Sequence, residues 1–458
     1  MDGLMQNPHN KLGRQPITSE YLLNVMQGKH REFFMPDEWI EIDGYRIEDS
    51  FMILRPITFE HKIRIINCTF SGHFSICNGH FLECVEWDNC KYSKMVFLSG
   101  GSYEKSVAFK RVDTSHVSID GGSYKTFDFS SNNTNLNMWI QGGEFEVFEF
   151  GKYIGENSVE KLTIYNQGKL KGKLIFVNKN INQVSILGSN LDCSYSFENI
   201  KSQYFHISSF HNHGELNFFG ITPLIGKRTY FEIVKSNLGK AQLHRILFKE
   251  FDEVIILDSY FSEINTINCE WAKDNFIALK GPTYGNYNKE RNAWGSLELS
   301  QLKEVFRQFK YLYEKQGDKI NEQFFYGLEM NIYNRQLAWK SPHREVFWQK
   351  LILLFSRYLT NYGSSFLRPL IGLLTVNQIV LLILIIFFNH QGLSFVAINE
   401  GTAAGFSQAF GEYCILLNPL HKMREDIGGF EILWDLISRI SSSYFIYALI
   451  KSSRRFVR

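Results

Sequence analysis

Apolar and polar residues alternate along most of the chain from Asp37 to Lys280, and the alternation is organised in repeats. LSGGSYEKSVAF (98–109), IDGGSYKTFDF (119–129) and IQGGEFEVFEF (140–150) place their Gly-Gly pairs at 100, 121 and 142, a spacing of 21 residues each time. CNGHFLECVEW (77–87) carries the same motif 22 residues upstream, while ILGSNLDCSYSFENI (186–200) and ISSFHNHGELNFFGI (207–221) continue it at 21. Phe176, Phe197 and Phe218 hold one column of that repeat. Period-two alternation specifies strands, and a fixed repeat with turn glycines requires each coil to return above its own start, which is a β-solenoid. Phe127 and Phe129 should stack on Phe148 and Phe150, with Val107 and Phe109 joining the columns after a one-residue slip. One coil cannot bury such a face, but a stack of coils can. About 230 residues then give on the order of eleven coils and a rod roughly 50 Å long. A β-sandwich would not keep the spacing, and propeller repeats are about twice as long.

The period changes after the loop at 281–296. Leu297, Leu299, Leu302, Val305, Phe306, Phe309 and Leu312 keep helical spacing, Gly317-Asp318 breaks the run, and a second helix over 320–339 completes a hairpin. A third helix over 344–358 mixes Val346, Phe347, Leu351, Leu354 and Phe355 with Trp348 and basic residues, a pattern suited to a membrane surface. Ahead of the solenoid, 1–36 forms a polar cap segment with one short helix, started by Thr18 or Ser19 and striped by Tyr21, Leu22 and Val25.

PLIGLLTVNQIVLLILIIFFN (369–389) is uncharged between Arg368 and His390. As a helix it rises about 31 Å, the thickness of a bilayer's hydrocarbon core. We therefore read a transmembrane helix, with Asn377 and Gln378 as intramembrane polar groups that can hydrogen-bond between helices. TAAGFSQAFGEYCILL (402–417) is apolar but short and contains Glu412, so it reads as a re-entrant or interfacial helix. A second span over 427–450 carries Glu431, Asp435 and Arg439 at successive intervals of four residues, continued by Ser442 and Ser443. One chain offers only one other clear span to cover that stripe, so Glu431, Asp435, Arg439, Ser442 and Glu412 are candidates for a pore or subunit contact in a homo-oligomer. Ordinary pairing within a helix whose first turns lie outside the bilayer accounts for the same spacing. Basic residues flank both spans, with Arg368 before the first and Lys451, Arg454 and Arg455 after the second as membrane-surface anchors, so both termini should face the cytoplasm.

Composition narrows the chemistry. The 458 residues carry a net charge of +2, which gives no field for nucleic acid, and 40 Phe with 22 Tyr suit strands joined by tight turns. The seven cysteines, Cys68, Cys77, Cys84, Cys90, Cys193, Cys269 and Cys414, follow no zinc or disulfide spacing and read as small buried side chains in a reducing compartment. Glu144, Glu146 and Glu149 alternate with Phe145, Phe148 and Phe150, as outward charges on a strand do. A metal site at His206, His211 and His213 lacks a further ligand at metal spacing, so surface histidines are the expectation. No P-loop, G-x-S-x-G or nucleotide fingerprint is present, and we expect no catalysis, no metal and no cofactor.

FRQFKYLYEKQGDKINEQFFYGLEM (306–330), YLTNYGSSFLRPL (358–370), ILLNPLHKM (415–423) and LISRISSSYFIYALIKSSRRF (436–456) give 297–458 an order of elements that resembles bacterial pentapeptide-repeat and related β-solenoid membrane proteins with a two-span, ion-channel-like C-terminal domain. Two departures stand out: no regular A(D/N)LXX pentapeptides occur, and TAAGFSQAFGEYC lacks the T-x-G-Y-G filter of potassium channels. The expected architecture is a cytoplasmic β-solenoid over 37–290, a helical neck over 297–360 and a transmembrane module over 365–458. The resemblance implies an oligomer in the bacterial inner membrane whose solenoid face senses a protein partner and whose membrane module conducts ions or perturbs the bilayer, in a setting such as anti-phage or stress defence. The alternatives are a membrane-anchored scaffold and, behind it, a glycan-active β-helix enzyme.

Overall fold

The structure is a computed structural model that describes residues 16–151, 159–261, 263–272, 296–337, 344–388, 402–421 and 429–453. The chain divides into two units, Met1–Gln308 and Phe309–Arg458.

The first unit opens with helix α1 (Ser19–Met26), whose first turn is capped by Thr18, the Oγ1 accepting from the Tyr21 amide at 3.2 Å. Leu22, Val25 and Met26 face inward, while the amide and hydroxyl of Ser19 both donate to Asp49, at 2.8 and 2.5 Å, tying the helix to the opening coil. From Trp39 to Ile267 the chain winds through about 10 turns of a β-solenoid whose coils pair in parallel.

Its core is made of single columns. Ile53, Ile76, Leu98, Ile119, Ile140, Ile164, Ile186, Ile207, Ile233 and Ile256 lie in unbroken register, all buried. Each burial contributes about 2 kcal/mol, and β-branched side chains suit the pleat. On the facing sheet Phe109, Phe129, Phe150, Phe176, Phe197 and Phe218 form the aromatic counterpart, with Phe176 and Phe197 stacked at 4.9 Å and Phe197 and Phe218 at 5.3 Å. Phe127 and Phe129 pair with Phe148 and Phe150, and Val107 and Phe109 join them after an irregularity between Tyr103 and Ser106, as the repeats indicate.

The period is less uniform than the glycine pairs suggest. Ile119 to Ile140 and Phe176 to Phe197 keep 21 residues, but Ile63 to Val85 takes 22, Ile140 to Ile164 takes 24 and Phe205 to Phe231 takes 26. Extra residues fall between the paired positions, where lengthening costs little, and the coil count drops below the expected eleven. The Gly-Gly corners serve two needs. A Cβ on Gly121 would lie 2.5 Å from the Ser99 carbonyl oxygen of the coil before, and Gly122 takes φ +103°. At another corner Asn178, Asn199, Gly220, Arg245 and Asn268 share left-handed backbone with φ from 49° to 65°, asparagine tolerating the conformation by local hydrogen bonding. A third corner is filled by wholly buried asparagines: Asn190 Nδ2 donates to Asn212 Oδ1 at 2.8 Å and to the Cys193 carbonyl at 2.9 Å.

Helix α2 (Ser296–Gln316) begins in this unit, burying Leu302, Val305 and Phe306, with Gln308 Oε1 accepting from the Phe261 amide at 2.8 Å. The proposed solenoid end at 290 and the loop at 281–296 fall largely outside the described residues.

The second unit is helical. The end of α2 and α3 (Lys319–Gln336) form the expected hairpin, broken by Gly317 and capped by Asp318, with Phe309 and Phe325 stacked at 4.8 Å. Helix α4 (Arg344–Phe355) ends in a π-helical turn, Ser356–Thr360. Asn361, Tyr362 and Gly363 follow, all left-handed, with φ of 48°, 57° and 81°. Then come α5 (Leu367–Phe388), α6 (Thr402–Leu417) and α7 (Gly429–Ser453). Among the described residues α5 is the one helix long and apolar enough to cross a membrane. Helix α7 has the length, but Glu431, Asp435, Arg439 and Lys451 break its apolar surface.

Candidate functional site

Polarity in α5–α7 runs opposite to that of the solenoid. Ile371, Ile379, Ile386 and Phe387 of α5, Phe406 and Phe410 of α6, and Phe430, Ile440 and Tyr447 of α7 are exposed, Phe387 to 73% and Phe406 to 74%. Inside, next to Leu381, Leu384 and Leu416, lie polar side chains: Asn377, Ser438 and Ser442 each have 0% exposure.

These polar residues form a closed network. Ser438 Oγ donates to Asn377 Oδ1 at 2.6 Å, and Asn377 Nδ2 donates to Ser442 Oγ at 2.9 Å and to its own helix at the Leu373 carbonyl at 2.8 Å. The C-terminal turn of α6 enters the same network, since the Leu416 carbonyl lies 3.3 Å from both serine hydroxyls. Tyr413 Oη donates to the Leu374 carbonyl at 2.9 Å. One turn of α7 further back, Asp435 is buried between two basic groups, with Arg439 Nε at 2.7 Å and His421 Nε2 at 2.6 Å. Buried charge is tolerable only when matched in this way, and the second Arg439 amino group, Nη2, is buried with no partner.

Of the residues singled out from the sequence, Asn377 with Ser442 and Asp435 with Arg439 are brought together. Glu412 is buried on α6, Glu431 is half-buried, and Gln378 is exposed beside Asn377. Arg368 donates to the Arg357 carbonyl at 3.2 Å, and Lys451 Nζ lies 5.7 Å from the centre of the Tyr326 ring. Arg454 and Arg455 lie outside the described residues. The buried line on α7 is Asp435, Ser438, Ser442 and Phe445. A strict four-residue spacing drifts about 40° per step around a helix, while alternating steps of three and four hold one face. That alternation was the available signal for Ser438, and His421 had none, because it reaches Asp435 from outside any helix. Asn377, Ser438 and Ser442 are satisfied within one chain, so their burial requires no second subunit.

A second basic group gathers at the opposite end of α5. Gln323 of α3 donates through Nε2 to the Tyr362 carbonyl of the left-handed turn, and a Cβ on Gly363 would lie 3.7 Å from Lys451 Cε. Partial burial and the Arg357 guanidinium beside it hold Arg335 below its usual range, although its side chain still reaches solvent. Burial pushes the Tyr362 phenol up, and its hydroxyl is enclosed without a hydrogen-bond partner.

In the solenoid, Glu144 is exposed and pairs with Lys171 at 2.6 Å, while Phe145, Phe148 and Phe150 point inward. His211 and His213 are exposed, whereas His206 turns to Glu232, Nδ1 to Oε2 at 3.1 Å, and Tyr204 donates to the same carboxylate. Among the described residues no three His, Cys, Asp or Glu side chains gather at metal-binding distance. Cys68, Cys90, Cys193 and Cys269 are buried; burial pushes the Cys193 thiol up to about 12 and that of Cys269 up to about 11. An open cleft of about 600 Å³ between the last coils and the start of α2 is lined by Lys235, Asp258, Tyr260, Lys303, Glu304 and Arg307, with Arg307 and Glu304 paired at 2.5 Å. Its charges are mixed in sign and select no ligand class.

No protein-family model, curated protein or solved structure matches the chain.

Proposed function

We propose that the protein is a membrane-anchored β-solenoid binding protein, in which α5–α7 are held in a bilayer and the solenoid offers a partner-binding face. The supporting observation is the reversed polarity of α5–α7: Asn377, Ser438 and Ser442 are enclosed while Phe387, Phe406 and Phe430 face outward. Water would penalise both halves of that arrangement; hydrocarbon favours both. In this reading α6 enters without crossing, its Leu416 carbonyl taken up by Ser438 and Ser442, which lowers the cost of ending a helix in lipid.

The binding face fits an extended protein segment. Met52, Ser75, Phe97, Ser118 and Trp139 share one outward column, so large apolar side chains recur at every second coil, about 10 Å apart. Met52 and Trp139 are 49% and 47% exposed.

The test is alkaline carbonate extraction of membranes from cells expressing the full chain. An embedded protein stays in the pellet and is released only by detergent, whereas release by carbonate would reject the proposal. A second reading, an ion-conducting homo-oligomer, is favoured by the Asp435, His421 and Arg439 cluster, since buried ionisable groups in a spanning helix commonly serve transport. Ion flux in liposomes that changes in a Glu431→Gln, Asp435→Asn double variant would select it. Unrestricted replacement of 365–458 by an unrelated two-span anchor, with partner binding kept, would select the anchor.

A further inference from the structure

Around the left-handed turn before α5, among the described residues, no carboxylate pairs with Arg357, Arg368 or Lys451, and all three are exposed. They gather about one turn nonetheless: Arg368 reaches the Arg357 carbonyl at 3.2 Å, and Lys451 sits against Gly363 and the Tyr326 ring. Like charges gathered about one turn repel one another, and an anion bound among them relieves that repulsion.

A second observation points the same way. Tyr362 is only 4% exposed, and its hydroxyl is enclosed with no hydrogen-bond partner, an arrangement that ordinarily destabilises a fold. Its backbone is left-handed, an uncommon state for an aromatic residue, and is fixed there by Gln323 at the carbonyl. The amide end of α5 opens at the same place, adding the favourable end of a helix dipole. Phe355, Tyr358, Phe366 and Leu367 are all exposed around it, an apolar and aromatic collar of the kind found where membrane meets water.

We infer that Arg357, Arg368, Lys451 and the Tyr362 hydroxyl form a binding site for a phosphate-bearing anion, supplied by the headgroup of an anionic phospholipid. The inference rests on the membrane reading for the source of the phosphate, but not for the site itself. Guanidinium groups bind phosphate oxygens in pairs, a lysine adds a point charge, and a phenol donates one further hydrogen bond. Occupancy would fasten the turn and the end of α7 to one another through a single ligand.

The experiment follows thermal unfolding of the purified full chain in detergent, titrated with phosphatidylglycerol, phosphatidylcholine or inorganic phosphate, beside an R357Q/R368Q/K451Q variant and a Tyr362→Phe variant. Phosphatidylglycerol should raise the wild-type midpoint and phosphatidylcholine should not; at about fivefold per removed charge the triple variant should need on the order of a hundredfold more lipid. Tyr362→Phe should be at least as stable as wild type without lipid and respond less to it, a combination that loss of a purely structural contact does not give. Equal responses of wild type and both variants, or equal effects of the two lipids, would overturn the site. A matching response to inorganic phosphate alone would overturn the lipid source. Flotation on pure phosphatidylcholine vesicles separates the two ideas: failure to float counts against the membrane reading, while the detergent titration still decides the anion site.

Discussion

The two units use the same apolar residue types to opposite ends. In the solenoid, isoleucine and phenylalanine point inward in columns and most charges stand outside; in α5–α7, most isoleucines and phenylalanines stand outside, Phe445 excepted, and asparagine, serine and aspartate are enclosed. Both folds satisfy backbone hydrogen bonds, one between coils and the other within helices, so the backbone does not distinguish their surroundings. Side-chain direction does. The solenoid gains by removing apolar surface from water, whereas, in the membrane placement proposed above, a helix in hydrocarbon would gain nothing from hiding leucine and would be held to its neighbours by packing and interhelical hydrogen bonds.

This contrast can be broken by exchanging charge for isoleucine in each unit. Ile186→Asp, in the middle of the inner column, should abolish the cooperative unfolding transition of the solenoid followed by circular dichroism, because an unpaired carboxylate would replace a fully buried side chain. Ile379→Asp, at a 55% exposed position of α5, should leave that transition in place and lower membrane retention by about 3 kcal/mol, roughly a hundredfold, in the carbonate assay. Equal tolerance of Ile379→Asp by membrane retention would place α5 in water.

Smaller effects sharpen the comparison. Removing a buried asparagine should cost about 1–3 kcal/mol in the solenoid for Asn190→Ala, measured by denaturant unfolding, because the Cys193 amide and the Asn212 side chain lose a partner. Asn377→Ala should cost less, about 1 kcal/mol, by thermal unfolding in detergent, since Ser438 and Ser442 keep the Leu416 carbonyl. Thiol labelling should leave Cys193 and Cys269 unreacted in the folded chain up to about pH 10, because their pKa values are held at about 12 and about 11. The sign for stability follows: the unfolded thiols ionise near their usual value, the folded ones do not, and these two groups therefore destabilise the fold progressively as pH rises from about 8.5 through the folded values. Smallest of all, Ser209→Gly should stabilise by about 1 kcal/mol or less, since Ser209 takes φ +49° at an exposed corner.

Much of the solenoid was legible because one residue type recurs at one place in each coil. The phenylalanine column, the slip at Val107 and the Gly-Gly corners all register as spacing. The isoleucine column was equally present, but insertions of up to several residues between the paired positions displaced it from a fixed period. Helix positions followed from apolar spacing, so that 402–417 coincides with α6. What the spacing could not supply was the partner of each polar group. His421 meets Asp435 from a turn, Tyr362 takes a left-handed backbone, and Lys451 of α7 meets Gly363 from far along the chain. Such pairs are set by chain reversal rather than by local pattern, and no periodicity encodes them.

The short helix that Ser19 ties to Asp49 has a consequence for the order of assembly. Each coil needs only the preceding one as a template, and a chain made from its N-terminus delivers α1 and the first coil before any other. The stack thus has a closed end from the outset and can elongate in one direction, rung by rung, during synthesis. The apolar helices emerge after the coils, when a folded solenoid already precedes them, so the segment most prone to aggregate in water is never exposed beside unfolded strands.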